Sequence, residues 1–373
     1  MPLPVSLTAL LDASEDQDRI FTSAFSVLQE AIPERTFPAA SVAIAVQGRL
    51  IALKGFGRFT YESGSPPVTP ATLLDLASLS KVVATTSTAM LLYQRGLLDL
   101  DAPVAAIVPE FVCDAEKDLR RREVTFRMLL AHSSGLPAYE KLFLRARSRD
   151  ELLHEVFAAP LTADPGSRAE YSDIGFILLG AALERIADES LDRFCRREIF
   201  APLGMTRTAF NPPSEIRAQI PPTQDDQHFR HRIIQGEVQD ENASVLGGVA
   251  GHAGVFSTAA DLAQFGHAMI SPGALIRRET IARFTRRESA PAGTSRTLGW
   301  DTPSAPSQSG KYFGPGSFGH LGYTGTSLWI DPDRQLSITL LTNRTWPDCS
   351  SQAIKQVRPR FHDAAILALE KTE

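Results

Sequence analysis

Strand-like apolar runs lie near both ends of this chain, and helical patterns fill its middle. Val42, Ile44 and Val46 alternate with alanines, Gln47-Gly48 makes a turn, and Leu50-Ile51-Ala52-Leu53 returns, which reads as a β-hairpin. Far downstream, Thr326 to Ile330 and Leu336 to Leu341 are two more such runs, joined by the turn Asp331-Pro332-Asp333-Arg334. Between them Thr125 to Ala131, Arg149 to Phe157, Ile174 to Ile186 and Leu191 to Phe200 carry helical spacing. The simplest solution is one antiparallel sheet built from both ends of the chain and covered by terminal helices. Residues 1–103 and 246–373 then form an α/β (α+β) sheet domain, residues 104–245 a mainly helical insertion, and a site is expected at the seam.

Other stretches complete this outline. Residues 15–32 read as an amphipathic helix that Pro33 stops. Residues 211–245 read as polar and irregular, and 288–317 as a mobile Ser/Pro/Gly-rich loop over a site or an interface. Ser351 to Leu369 reads as helical, with Pro359 splitting or kinking it.

Composition excludes several classes. A net charge of -5 with mixed signs and no basic run argues against a nucleic-acid surface. No run of about 18 apolar residues suggests a membrane span. Met1-Pro2-Leu3-Pro4-Val5 has no cationic region and is followed by Glu15, Asp16 and Asp18, so no secretory signal is expected. Cys113, Cys195 and Cys349 are far apart and fit free thiols in a cytoplasmic protein. No cysteine has a Cys or His neighbour at metal spacing, and no phosphate loop is present, so neither metal nor other cofactor is expected.

The chemistry concentrates at Ser78-Leu79-Ser80-Lys81, the only Ser-x-x-Lys in the chain. It opens a helical pattern running to Gly96 that is apolar on most sides, as in a buried helix. Residues three apart share a helix face. A serine hydroxyl needs a neighbouring base, and a lysine serves if desolvation or nearby positive charge lowers its pKa. By itself the motif also reads as an N-cap serine with a surface lysine one turn later. His132 reads as a turn residue bonding backbone, His252 as part of the glycine-dense loop 247–254, and His228 and His231 as members of a solvated loop.

Three motifs in order resemble the serine hydrolases that share the class C β-lactamase and D,D-peptidase fold, a group that includes carboxylesterases. They are Ser78-Leu79-Ser80-Lys81, Tyr171-Ser172-Asp173 and His320-Leu321-Gly322, the last followed by Tyr323-Thr324-Gly325. Leu129 to Leu136 and Pro202-Leu203-Gly204-Met205 are similar to connecting segments of that family, and the likeness covers roughly residues 15–370. The resemblance implies a β-lactamase/transpeptidase-like fold and an acyl-enzyme on Ser78, with Lys81 and Tyr171 moving protons. It also implies backbone N–H groups of Ser78 and Tyr323 as the oxyanion hole, and Asp173, His320 and Gly322 lining the substrate site.

Two positions depart from the β-lactamase pattern. Asp173 stands where the family has an asparagine, so an amide donor becomes an acceptor. His320 stands where the family has a lysine, so a permanent cation becomes a group mostly neutral near pH 7. Leu321 removes a hydroxyl beside it. These changes weaken recognition of a substrate carboxylate and favour a neutral small-molecule ester, so a carboxylesterase is the leading expectation. A β-lactamase, or an amidohydrolase of D-aminopeptidase or D,D-peptidase type, is the alternative, and a non-catalytic binding protein on the same fold is the second. Oligomeric state stays open.

Overall fold

The strand Ala39–Val46 pairs antiparallel with Arg49–Gly57 on one side and Leu336–Thr342 on the other, so distant parts of the chain meet inside one sheet. In this computed structural model, which describes residues 9–113, 118–271, 273 and 275–371, that sheet has six strands. Their order is Leu11–Asp12, Arg49–Gly57, Ala39–Val46, Leu336–Thr342, Ser327–Asp331 and Phe318–Leu321. All pairings are antiparallel except that of Leu11–Asp12, which lies parallel to Arg49–Gly57. Met1 to Val5, read above for an export signal, lie outside the described residues. Among the described residues no helix is long and apolar enough to cross a membrane.

Period-two alternation decides what each face of the sheet meets. Val42, Ile44, Ile338 and Leu340 pack with Phe25, Leu28 and Phe361 of the helices Thr22–Ala31 and Ile354–Glu370. Ala43 and Ala45 belong to the other core, with Leu262 and Phe265 of the helix Ala259–Ile270. Small residues let that helix sit close, since a Cβ on Gly266 would lie 2.8 Å from Ser337 Cβ. Each fully buried Leu, Ile or Phe contributes roughly 1.5–3 kcal/mol. The second core continues without a break into the helical part of the chain, through Leu129, Phe176, Ile177 and Phe200.

Several local expectations are corrected. The helix expected over 15–32 is two, Gln17–Ile20 and Thr22–Ala31, because Phe21 leaves helical geometry. Residues 211–245 are not irregular throughout: Pro222–Asp226 and Arg232–Gln235 form a hairpin. Its turn is built by the buried Asp226 carboxylate, which accepts from the backbone N–H groups of His228, Phe229 and Arg230. The stretch 288–317 has neither helix nor strand but is anchored, because Trp300 is buried against Phe265 and Phe318 with ring centroids 6.2 and 5.0 Å apart. Of the two outcomes expected at Pro359, the split does not occur: the C-terminal segment is a single helix, Ile354–Glu370, with Pro359 inside it. Pro359 lies close enough to the helix start that its missing N–H costs one early bond.

Candidate active site

A small sheet presents Ser78. Leu74–Asp75, Val255–Ser257 and Ala209–Phe210 form three short antiparallel strands, and Leu76 N–H donates to Val255 O at 2.9 Å. The chain then turns sharply through Ala77, whose φ of 46° is left-handed, a conformation that costs a non-glycine residue energy. The Asp75 carboxylate holds this turn. It accepts from Ala77 N–H at 2.8 Å and from Gln239 N–H at 2.7 Å. Burial pushes Asp75 up to about 6, against the lowering effect of those two N–H groups. A turn of 3-10 helix, Ala77–Leu79, leads into the π-helical turn Lys81–Thr86.

Lys81 is fully buried and all three of its N–H groups find acceptors. Nζ donates to Ser78 Oγ at 3.1 Å, Asp173 Oδ1 at 2.6 Å and the His252 carbonyl at 3.1 Å. Tyr171 Oη donates to Ser78 Oγ at 2.7 Å. Tyr171 and Asp173 come from the start of the helix Asp173–Ala187, where Ser172 is the cap, accepting from Gly175 N–H at 2.9 Å. The capping serine thus fixes its two neighbours against the lysine.

The charge on Lys81 differs from the sequence expectation. Burial alone pushes its pKa down, as a neutral base requires, but the Asp173 carboxylate and then Tyr171 outweigh it, and the net direction is up. Burial raises Tyr171, Lys81 pulls it down, Asp173 pushes it up, and the net direction is again up. The resting site therefore holds an ammonium and a neutral phenol. Asp173, expected to line the substrate site, has its carboxylate on Lys81.

The segment 320–326 closes the site against the nucleophile turn. Thr324 Oγ1 donates to Asp75 O at 2.8 Å, and Thr326 Oγ1 donates to Leu76 O at 2.9 Å. Gly322 is required there, because a Cβ would lie 2.5 Å from Leu76 O. Neither Ser78 N–H nor Tyr323 N–H has a hydrogen-bond acceptor among the described residues, which leaves both able to receive an oxyanion. The Tyr323 ring is half exposed. His320 is buried on the strand Phe318–Leu321, and its Nδ1 donates to Leu321 O at 2.8 Å. Its Nε2 is left as a buried acceptor with no partner. Burial, with Lys81 and Arg296 adding to it, holds that imidazole well below its usual range and so neutral.

Other histidines have backbone roles. His132 Nδ1 accepts from Ser172 N–H at 3.0 Å, and its ring lies 4.7 Å from that of Tyr171. His252 Nε2 lies 2.8 Å from Asp240 Oδ1, while its carbonyl holds Lys81. His228 and His231 flank the Asp226 turn.

The sequence reading missed Arg296. Its guanidinium carbon lies 5.5 Å from the Tyr171 ring centroid, and its ion pair to Asp301 is loose at 3.5 Å. No motif marks it, because it comes from the stretch 288–317, where spacing carries no signal. Asp75 was missed for a similar reason: nothing local shows that a carboxylate three residues before the serine is buried on a backbone turn.

A serine, a lysine and a tyrosine converging on one hydroxyl between a mixed sheet and a helical region define a serine hydrolase of the β-lactamase/transpeptidase-like fold. The beta-lactamase family model matches residues 21–357, and the chain belongs to that family. It is similar to a provisionally named D-alanyl-D-alanine carboxypeptidase of Escherichia coli (strain K12), 33% identical over 83% of this chain and 79% of that protein. It is also similar to an N-acetylmuramyl-L-alanine amidase of Bacillus subtilis (strain 168), 32% identical over 83% of this chain and 77% of that protein. Among solved structures, EstCE1, a hydrolase with promiscuous acyltransferase activity, superposes with a TM-score of 0.75 at 22% identity, covering 94% of this chain and 99% of its own.

Proposed function

We propose that the protein hydrolyses a carboxylate-bearing amide, and activated esters as surrogates, through an acyl-enzyme on Ser78. The observation that carries this reading is the convergence on Ser78 Oγ of Lys81 Nζ at 3.1 Å and Tyr171 Oη at 2.7 Å. Lys81 begins as an ammonium and must give up a proton before it takes one. Asp173 is the acceptor within reach. As Ser78 Oγ bonds to the acyl carbon, its proton passes to Lys81, a proton of Lys81 passes to Asp173, and the carbonyl electron pair moves onto oxygen. That oxygen is received by the N–H groups of Ser78 and Tyr323. Collapse breaks the bond to the leaving group, which takes a proton from Tyr171; Lys81 restores the phenol, and Asp173 returns its proton to Lys81, so the ammonium and the carboxylate are regained. Water then repeats the sequence on the acyl-enzyme.

Two observations support the amide class and the carboxylate. The two relatives named above, each over 30% identical, bear names of enzymes that cleave amides. Arg296 brings a loosely paired cation beside Tyr171, which offsets the cation lost at His320. The neutral His320 supports the second reading, a carboxylesterase for uncharged esters. A cytoplasmic setting is supported by the three free cysteines.

The test compares p-nitrophenyl butyrate, mono-p-nitrophenyl succinate, an acyl-D-alanyl-D-alanine peptide and a chromogenic cephalosporin, with the parent, Ser78→Ala and Arg296→Gln. Carboxylate-bearing donors are expected to lead by about tenfold in kcat/KM, the worth of one charge-assisted contact, and to lose that lead in Arg296→Gln. All turnover is expected to vanish in Ser78→Ala. A faster butyrate reaction, unchanged by Arg296→Gln, establishes the neutral-ester reading instead.

A further inference from the structure

Arg358 is an unneutralised cation buried behind the oxyanion segment. It lies on the helix Ile354–Glu370 and is 4% exposed. Its Nη2 donates to Gly322 O at 2.6 Å and Thr326 O at 3.0 Å, its Nε to Gly325 O at 3.2 Å, and its Nη1 to Gln308 Oε1 at 2.7 Å. All four acceptors are neutral, and no carboxylate pairs with Arg358 among the described residues. The charged group closest in effect is another cation, Arg344, which donates to Tyr323 O at 2.6 Å and likewise has no carboxylate partner among the described residues. Burial and then Arg344 push Arg358 down to about 9, so it remains charged at neutral pH. Burying a cation without a counter-ion is costly, and a neutral side chain could strap the same loop to the helix.

The carbonyl that Arg358 grips identifies its use. Gly322 C=O and Tyr323 N–H are the two ends of one peptide group. A cation on the oxygen end withdraws electron density and makes the nitrogen end a stronger donor, as hydrogen bonds in series polarise one another. The same charge lies behind the place where negative charge develops.

We propose that Arg358 is a positioning residue that strengthens the Tyr323 N–H as an oxyanion donor through the Gly322–Tyr323 peptide. The inference rests on the acyl-enzyme reading above. Its effect is a preference for the tetrahedral transition state over bound substrate, which a strap for the fold would not produce.

The experiment uses the full chain as parent, Arg358→Gln and Arg358→Lys. Active sites are counted by stoichiometric labelling with a fluorophosphonate. Parallel unlabelled samples are then assayed for kcat and KM on p-nitrophenyl butyrate, and for affinity toward a boronic acid that forms a tetrahedral adduct on serine, each value being expressed per titrated site. Arg358→Gln is expected to lose about tenfold in kcat per site, a fraction of what removal of a whole oxyanion donor costs, with KM within about twofold. Boronate affinity is expected to fall by the same factor. Arg358→Lys, which keeps the charge, is expected to recover part of both losses and serves alone if Arg358→Gln does not fold, then showing the smaller parallel loss. Per-site kcat and boronate affinity equal to the parent in the folded variants overturn the inference, even if melting temperature drops. Failure of the acyl-enzyme reading looks different: the parent itself would take up neither fluorophosphonate nor boronate.

Discussion

Asp173 Oδ1 sits 2.6 Å from Lys81 Nζ, and this contact sets the charge of the lysine that faces Ser78. The lysine is fully buried, and the aspartate side chain is 17% exposed. In such a setting two unlike charges stabilise each other far more than in water. In the mechanism proposed above the pair works as a unit, and the proton that catalysis moves passes between them.

Asp173→Asn separates the two roles of that carboxylate. An amide cannot take a proton from Lys81, so kcat at pH 7 is expected to fall by about a hundredfold, within the usual range for general acid–base catalysis. Loss of the negative charge also lowers the Lys81 pKa, so activity should recover in part as pH rises and the amine is freed. A kcat/KM profile over pH 6 to 10 checks this. Undiminished activity at neutral pH would show that Lys81 alone is a sufficient base.

Tyr171→Phe removes the hydroxyl 2.7 Å from Ser78 Oγ and leaves the ring on His132. We expect a loss of about 10²–10⁴ in kcat with a smaller change in KM. Fluorophosphonate labelling should slow in this variant and vanish in Ser78→Ala. Labelling that persists in Ser78→Ala would move the nucleophile elsewhere.

Gly251→Ala tests the packing that carries the lysine's third acceptor. A Cβ there would collide with Phe176 O and lie 2.9 Å from Gly180 Cα, in the helix Asp173–Ala187. The Gly251 carbonyl accepts from Thr85 Oγ1 at 2.6 Å, and the next carbonyl, of His252, accepts from Lys81. Overpacking of this kind costs about 1–3 kcal/mol. Urea unfolding should register that loss, and kcat should fall with it because the shift reaches Lys81. Parent-like stability would mean that the helix and loop can separate freely.

Stability is expected to fall with acid, partly through His362. Burial and then Arg358 push this imidazole down to about 3 from 6.5. A depressed folded pKa means that the stability present above pH 6.5 is lost as pH falls from 6.5 toward 3, about 1.4 kcal/mol per pH unit for one proton. His132 and His320 are lowered too and act in the same direction. Asp75, raised to about 6, opposes them by one proton between about 3.8 and 6. Urea denaturation at pH 7, 6 and 5 should give His362→Gln a slope shallower by one proton than the parent. Coincident slopes would show that His362 takes up its proton in the folded state.

Much of the architecture was legible because it is written in local periodicity. The hairpin around Gln47-Gly48, the strands on either side of Asp331-Pro332-Asp333-Arg334, and the helices near 126–130, 149–158 and 173–187 each carry their own pattern. Ser78 and Lys81 were legible because one helical turn holds them both, and Tyr171 because its motif resembles that of a known family. The hairpin at 222–235 was not, since one buried aspartate bonding backbone makes its turn. Nor was the anchoring of 288–317, which depends on where Trp300 finds a pocket.

The sequence by itself determined the fold class and the Ser78–Lys81 pair, because periodicity and short motifs act over a few neighbours, and it pointed to Tyr171 and the family through resemblance. Only the tertiary structure decided what those residues are chemically. Asp173 lies 92 positions from Lys81 and sets its charge, and Arg358 lies 36 positions from the Gly322 carbonyl that it grips. Arg296 reaches Tyr171 from a stretch with no pattern of its own. Charge state depends on burial and on partners within a few ångströms, and folding alone assembles those partners.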